Sequence, residues 1–350
     1  VTVWYFQVNE VHIMAPLSAD FPLTLPHALE HAATTRGEAT AVEIDGRRTS
    51  FRELRAQVLK AAKGFVAFGL KSGERVAIWA PNGLEWIVAA LAAQSAGGVI
   101  VPLNTRFKGR EAGYILARSG ARVLLTVGDF LGVRYPSLLA GESLPALERI
   151  VLFTGQGAGC VGWDEFIASG AAIADEEVHA ARGRLSPDDS ADIIFTSGTT
   201  GAPKGVISSH GQNIRVYIAW SEAVDLQSSD RYLIVNPFFH TFGYKAGWIA
   251  CLIRGATALP MAVFDAGVVL QRIAAERITF IPGPPTLFQS MLAHESCGKT
   301  DTSSLRIGGT GAAVVPPVLI RDMREILGFK RVFTAYGLTE STGTVTACRA

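Results

Sequence analysis

The run Thr196-Ser-Gly-Thr-Thr-Gly-Ala-Pro-Lys-Gly205 follows a short apolar β-type segment, Asp192-Ile-Ile-Phe195, and so marks the point where a strand empties into a loop. Past it, residues 206–207 read as a second short strand. Residues 210–224 then have helical spacing, with Ile214, Tyr217, Ile218 and Ala219 on one side. Three glycines let successive backbone N–H groups turn toward one spot. Ser197, Thr199 and Thr200 add hydroxyl donors and Lys204 adds a cation. A loop of this composition is built for an anion, and a polyphosphate suits it best. It is not a Walker A loop, because Lys204 follows Pro203 and precedes Gly205. A plain Gly/Thr linker is the bland alternative, but linkers rarely set a lysine and several hydroxyls directly after a buried strand.

On either side of this loop, strands alternate with helices. Before it the pattern reads helix 29–35, strand 40–44, a tight Asp45-Gly46 turn, strand 48–50 and helix 51–68. Strand 75–79, helix 84–96, strand 98–102, helix 110–119 and strand 122–126 follow. Residues 127–189 are the least informative, with a strand at 149–153 and a helix near Asp164. Beyond the loop come strand 231–235, helix 245–254, strand 257–260, helix 266–276, a strand at 279–281 and a helix to 293. A strand at 305–308, helix 316–327 and strand 331–333 complete the pattern. Such alternation implies helix-covered, mostly parallel sheets. The expected architecture is α/β, with residues 1–13 an extension, 14–189 a first α/β lobe and 190–350 a second. Every candidate chemical segment falls at the carboxyl end of a strand, where open α/β sheets bind ligands.

With 350 residues, 49% of them hydrophobic, the chain can bury more than one ordinary core. The 32 basic and 31 acidic residues are interspersed, so neither a nucleic acid nor a charged surface partner is indicated. Four scattered cysteines make no metal or redox spacing, which fits the reducing cytoplasm. The most apolar stretch, 86–101, is broken by Gln94, Ser95 and Gly97-Gly98 and is too short to span a bilayer.

Three further constellations carry chemistry. Tyr336-Gly-Leu-Thr-Glu340 offers a flat ring for a purine, a hydroxyl, and a hard carboxylate of the kind that holds Mg²⁺ beside phosphates. Gly311-Ala312-Ala313 is small enough for a planar base to lie on its backbone. A dinucleotide fingerprint starting at Gly309 fails, because position 314 is Val and no acid follows at 330–333. His240 sits among Phe238, Phe239, Phe242 and Tyr244. A histidine so placed is ordinarily a core residue with one satisfied hydrogen bond. Lys245 reads as a solvated helix lysine, with the wall of a ligand pocket as its alternative setting.

Residues 196–205, together with Tyr336–Glu340, Trp79-Ala-Pro-Asn-Gly-Leu-Glu-Trp86 and Val101-Pro-Leu-Asn-Thr-Arg106, closely resemble the acyl-adenylating superfamily, which includes the acyl-CoA synthetases. The resemblance implies a carboxylate–CoA ligase using ATP, Mg²⁺ and coenzyme A. Thr196, Ser197, Gly198, Thr199, Thr200, Gly201 and Lys204 would hold the triphosphate. Gly311, Ala312 and Ala313, with Thr334, Ala335, Tyr336 and Gly337, would form the adenine site. Thr339 would contact the α-phosphate and Glu340 would ligate the metal. His240, Phe242 and Tyr244 would face the acyl group, with His240 also beside the thiol channel. Lys204, Thr339, Glu340 and His240 are thus the expected catalytic residues. The partners implied are a small carboxylic acid, ATP and CoA; a homodimer is compatible with the reading.

The segments 236–247, 282–286 and 334–340 look most like CoA ligases of sterol catabolism, which activate a propanoate side chain on a bicyclic ketone; a medium-chain or aryl acid fits the aromatic residues equally. Family members continue beyond the Tyr-Gly-x-Thr-Glu motif into a ribose-binding acid, a hinge and a small C-terminal domain. None of these follows here, so the expectation is poor adenylation and no thioester formation by this chain alone. Two rivals remain: a nucleotide-binding remnant, and a domain that loads a carrier protein. The latter usually shows an acid after the His240 region, and residues 245–254 contain none.

Overall fold

The computed structural model describes residues 20–196 and 202–348. The extension expected at 1–13 and loop residues 197–201 lie outside them. Helix α1 (Leu25–Thr35) begins at Thr24, whose hydroxyl accepts from the His27 N–H. The hairpin β1 (Thr40–Ile44) and β2 (Arg47–Ser50) turns at Asp45 and Gly46, both with positive φ, as a two-residue turn between twisted strands requires. Ser50 and Glu53 form a capping box at the head of α2 (Phe51–Phe68), and left-handed Gly69 ends it.

Alternating elements follow: β3 (Arg75–Trp79), α3 (Leu84–Ser95), β4 (Val99–Pro102), α4 (Gly109–Ser119) and β5 (Ala121–Thr126). Then come a ribbon of β6 (Asp129–Phe130) and β7 (Val133–Arg134), α5 (Tyr135–Leu138), β8 (Arg149–Leu152), β9 (Val161–Gly162), α6 (Trp163–Ala168) and α7 (Asp175–Gly183). The hairpin β10 (Ser190–Thr196) and β11 (Lys204–Ser209) leads into α8 (His210–Ala223) and β12 (Arg231–Ile234). A single turn α9 (Thr241–Gly243) and a π-helix (Tyr244–Ile249) run on into α10 (Ala250–Arg254). The remainder is β13 (Thr257–Pro260), α11 (Ala266–Glu276), β14 (Phe280–Gly283), α12 (Pro285–Ala293), β15 (Ile307–Gly311), α13 (Pro317–Glu325), β16 (Arg331–Tyr336) and β17 (Thr346–Ala347).

Over the described residues these strands make a seven-stranded sheet, β11-β10-β4-β3-β5-β8-β9, and an eight-stranded sheet, β17-β16-β15-β14-β12-β13-β1-β2. Pairing is parallel except at β10–β11, β1–β2 and β16–β17, so the architecture is the expected mixed α/β. The strands do not divide between the sheets at residue 190. The early β1 joins β13 (Val42↔Ala258), and β10 joins β4 (Asp192↔Ile100). Such pairings are long-range, and local periodicity does not report them.

Helix α3 is apolar on all sides and accordingly buried, residues Trp86 to Ser95 included. Its Trp86 ring packs 5.4 Å from Phe238 and 5.3 Å from Tyr244, so it ties the two halves together. One apolar core runs through both sheets, from Val76 and Val123 to Tyr232 and Phe280, and a smaller one lies around Ile273, Phe288 and Met323. Besides short elements such as β6, β7, α5 and β9, which the sequence pattern does not announce, two helices differ from expectation. Helix α7 is absent from the sequence reading because it buries only Val178; charged ends define it instead, with acids at 175–177 and Arg182 in the last turn. The single α-helix expected at 245–254 is π-helical in its first half, where Gly247 leaves helical geometry at ψ −106°. Among the described residues no helix is long and apolar enough to cross a membrane.

Candidate active site

Four strand ends deliver the site. Thr196 and Lys204 face each other across the last pair of the β10–β11 hairpin. The loop after β12 carries Asn236 to His240. Strand β15 ends at Gly311, and β16 ends at Tyr336 before a 3₁₀ turn, Thr339–Ser341. These ends surround a cavity of about 560 Å³, within the usual range for a small-molecule site.

Thr196, Lys204, His240, Phe242, Gly311, Ala312, Ala335, Tyr336, Gly337, Thr339 and Glu340 all line this one cavity. Ala313 and Thr334 do not. The Thr334 hydroxyl lies 3.5 Å from Cys348 Sγ, on the face of β16 that meets α13. Tyr244, expected against the acyl group, is fully buried behind the cavity wall, where its hydroxyl accepts from Gln94 Nε2 at 3.2 Å. Ser197, Gly198, Thr199, Thr200 and Gly201 lie outside the described residues.

Helix α8 contributes Tyr217 and Trp220 to the cavity, and the π-helix contributes Ala246. Tyr217 was readable as part of an apolar helix face, but not that its hydroxyl donates to the Thr342 carbonyl at 3.0 Å and so braces the turn holding Thr339 and Glu340. That turn is tight. A Cβ on Gly337 would overlap the Gly343 carbonyl, and one on Gly343 would strike the Tyr217 hydroxyl. Burial raises the Tyr217 phenol above the ordinary tyrosine range, so it stays a donor.

The cavity lining carries one exposed cation and one exposed carboxylate. Lys204 is exposed and makes no ion pair among the described residues. Glu340 is likewise exposed and makes no ion pair among the described residues. No group of three His, Cys, Asp or Glu able to hold a metal occurs among the described residues. Glu340 alone nevertheless suits Mg²⁺, which keeps several waters and takes one or two carboxylates with substrate phosphates.

His240 lines this cavity and a second one of about 910 Å³, formed by Arg106, Phe107, Lys108, Phe130, Phe239 and Phe264 among others. Its ring is solvent-accessible, yet the crowded walls between the two spaces desolvate it and lower its pKa below the ordinary value. Nδ1 accepts the Phe242 N–H at 3.2 Å, leaving Nε2 as the protonated nitrogen of the neutral ring. Asn82, from the Ala80-Pro-Asn-Gly83 loop, steadies this segment: its amide donates to the Asn236 carbonyl at 3.0 Å and accepts from the Phe238 N–H at 2.7 Å.

Lys245 departs most from expectation. It is not a solvated helix lysine but a fully buried cation. Its ammonium lies 2.9 Å from Asp192 Oδ1, outside hydrogen-bond geometry, and donates to Ser208 Oγ at 2.9 Å. Asn213 Nδ2 donates to the other Asp192 oxygen at 2.7 Å. Desolvation lowers the Lys245 pKa, opposed by the Asp192 charge.

The profile of the AMP-binding enzyme family matches residues 29–350. The chain is 45% identical, over 94% of its length, to 3-[(3aS,4S,7aS)-7a-methyl-1,5-dioxo-octahydro-1H-inden-4-yl]propanoyl:CoA ligase of Rhodococcus jostii (strain RHA1). It is 46% identical, over 93% of its length, to the ligase of the same name from Mycobacterium tuberculosis. It spans 65% and 64% of those two relatives. Among solved structures, the anthranilate CoA ligase AuaEII in complex with anthranoyl-AMP superposes with a TM-score of 0.83 at 25% identity, over 95% of this chain and 63% of that one.

Proposed function

The chain belongs to the AMP-binding enzyme family, and from that premise we propose that it is the nucleotide- and acid-binding part of an ATP-dependent carboxylate–CoA ligase. The observation that carries the reading is the convergence of Lys204, Glu340, Tyr336 and His240 on one cavity that His240 joins to a second. In the proposed reaction the substrate's carboxylate oxygen attacks the α-phosphorus of ATP in line. The new P–O bond forms as the bond to pyrophosphate breaks, giving an acyl-adenylate. The CoA thiolate then attacks the acyl carbon, and AMP leaves.

The residues present fit charge neutralisation and positioning rather than covalent catalysis. Lys204 would offset phosphate charge at the hairpin tip. Thr339 would donate to the α-phosphate, and the exposed Tyr336 ring would stack on the purine. Glu340 would hold Mg²⁺, which supplies charge compensation for the leaving pyrophosphate. A neutral His240 with a proton on Nε2 would hydrogen-bond the substrate carboxylate where the two cavities meet. The second cavity, with Arg106 and Lys108 at its side, suits the thiol arm and phosphates of CoA.

For the acid, the 45% and 46% identities support a bulky alicyclic propanoate of the kind in the relatives' names. The rings of Tyr217, Trp220 and Phe242 give such a body an apolar wall. The test is acid-dependent exchange of labelled pyrophosphate into ATP by the protein made from its complete gene. 3-(7a-Methyl-1,5-dioxo-octahydroinden-4-yl)propanoate and octanoate are the first acids to compare. Nucleotide binding without exchange for any acid would sink the ligase reading.

A further inference from the structure

The Lys245–Asp192 pair lies wholly inside the protein, where burying two charges costs about as much as their attraction returns. Stability alone therefore gives little reason for it, and its location suggests another. Asp192 and Ser208 face each other in the β10–β11 hairpin, and one ammonium contacts both. Asp192 is also where β10 registers against β4, at Ile100. From there the hairpin runs four residues along each strand to Thr196 and Lys204. At about 3.3 Å per residue that is a lever of roughly 13 Å, so a tilt of about 5° at its base moves Lys204 by about 1 Å.

On the other side of the pair stands the π-helix. Lys245 follows the segment bearing His240 and Phe242 and directly precedes Ala246, all three on the cavity wall. The turn is held on either side of Lys245 as well. The Tyr244 hydroxyl meets Gln94, and the Ala246 carbonyl accepts from the Tyr232 hydroxyl at 3.0 Å. A π-turn is an uncommon way to wind a helix and recurs at functional sites. Here it is the turn that aims Lys245 inward while Ala246 faces the cavity.

We infer that Lys245, through Asp192 and Ser208, is a positioning residue that fixes the phosphate-binding hairpin relative to the acid-binding wall. The inference rests on the adenylation reading and concerns alignment between its two halves. Neither half needs the clamp to bind its own ligand; a ligand that spans both does. A misalignment of about 1 Å costs on the order of a hundredfold in a reaction that depends on near-attack geometry.

The test uses the protein from its complete gene and three probes. These are AMP, the methyl-dioxo-octahydroindenyl propanoate, and the non-hydrolysable acyl-sulfamoyl adenosine that joins them, each measured with pyrophosphate present to occupy the hairpin. Lys245→Met alone strands the Asp192 carboxylate, so the variant is Lys245→Met with Asp192→Asn, which keeps an acceptor for Asn213. Ser208→Ala, which removes one limb of the clamp and leaves the charge pair, is the second variant. The expected result for the double variant is affinity for AMP and for the free acid within about twofold of the parent, with the joined probe weakened on the order of tenfold or more. Ser208→Ala should move the joined probe in the same direction and by less. Unchanged affinity for the joined probe, or a parallel loss for all three probes, would overturn the inference and leave the pair a packing feature. If the double variant does not fold, Ser208→Ala decides by the same comparison. A parent protein that binds neither AMP nor the joined probe would instead refute the adenylation reading.

Discussion

Lys204 stands at the tip of a hairpin, exposed and without an ion-pair partner among the described residues. As the charge nearest the expected phosphates, it should matter most in the transition state. Lys204→Ala is expected to lower pyrophosphate exchange on the order of a hundredfold while leaving the thermal midpoint unchanged; an equal loss of stability would mark it as structural. Tyr217 acts one step back. Tyr217→Phe keeps the ring but leaves the Thr342 carbonyl without its donor, at a cost of about 1–2 kcal/mol. Because that carbonyl belongs to the turn carrying Glu340, the Mg²⁺ concentration for half-maximal exchange should rise several-fold. An unchanged Mg²⁺ titration would show that the turn holds itself. These residues were not equally legible in the sequence. Lys204, Tyr336 and Glu340 stand in short runs whose composition states their chemistry. Tyr217 reads only as part of an apolar helix face, and Trp220 is not on the face so read, because one residue-type pattern serves a core and a cavity wall alike.

At the scale of elements, helix α8 begins with His210, nearly inaccessible, whose Nδ1 faces the Leu25 N–H of α1 at 3.4 Å. Burial holds its pKa down at about 4 against an ordinary 6.5; nearby Asp189 opposes the shift and His27 adds to it. Since the folded pKa is the lower one, the unfolded chain binds the proton first. Stability is therefore intact above about pH 6.5 and falls as pH drops toward 4, by about 3 kcal/mol in all. His210→Gln should flatten this part of the thermal midpoint's pH profile between pH 7 and 4.5, and a parallel profile would assign the acid sensitivity elsewhere. Elements such as α2 and β3 were readable to the residue, since their apolar positions repeat at 3.6 or run unbroken. Helix α7 was not, having one buried side chain in nine. Neither was the π-turn at Tyr244–Ile249, because helical spacing over so few residues does not separate a π-turn from an α-turn.

Across the whole molecule, one core passes through both sheets, and β1–β2 and β10–β11 each join a sheet built mainly from the other half of the chain. The two sheets are thus expected to unfold together, in a single calorimetric transition whose van't Hoff and calorimetric enthalpies agree. Two resolved transitions would mean that the shared core is weaker than its extent implies. The alternation of strands and helices announced the α/β class, and strand-end motifs announced the site's edge. Which strand lies beside which could not be read, because pairing partners such as Val42 and Ala258 are separated by most of the chain.

That separation also sets a timetable for synthesis. The β1–β2 hairpin leaves the ribosome about 200 residues before β13, its neighbour in the finished sheet. At 5–20 residues per second the wait is roughly 10–40 s. Throughout it, the free edge of β1 is a template for any other extended chain nearby. Crowded polysomes making this protein therefore hold many such edges at once. Holdase chaperones that cover the nascent β1–β2 hairpin should raise its soluble yield more than those acting after release.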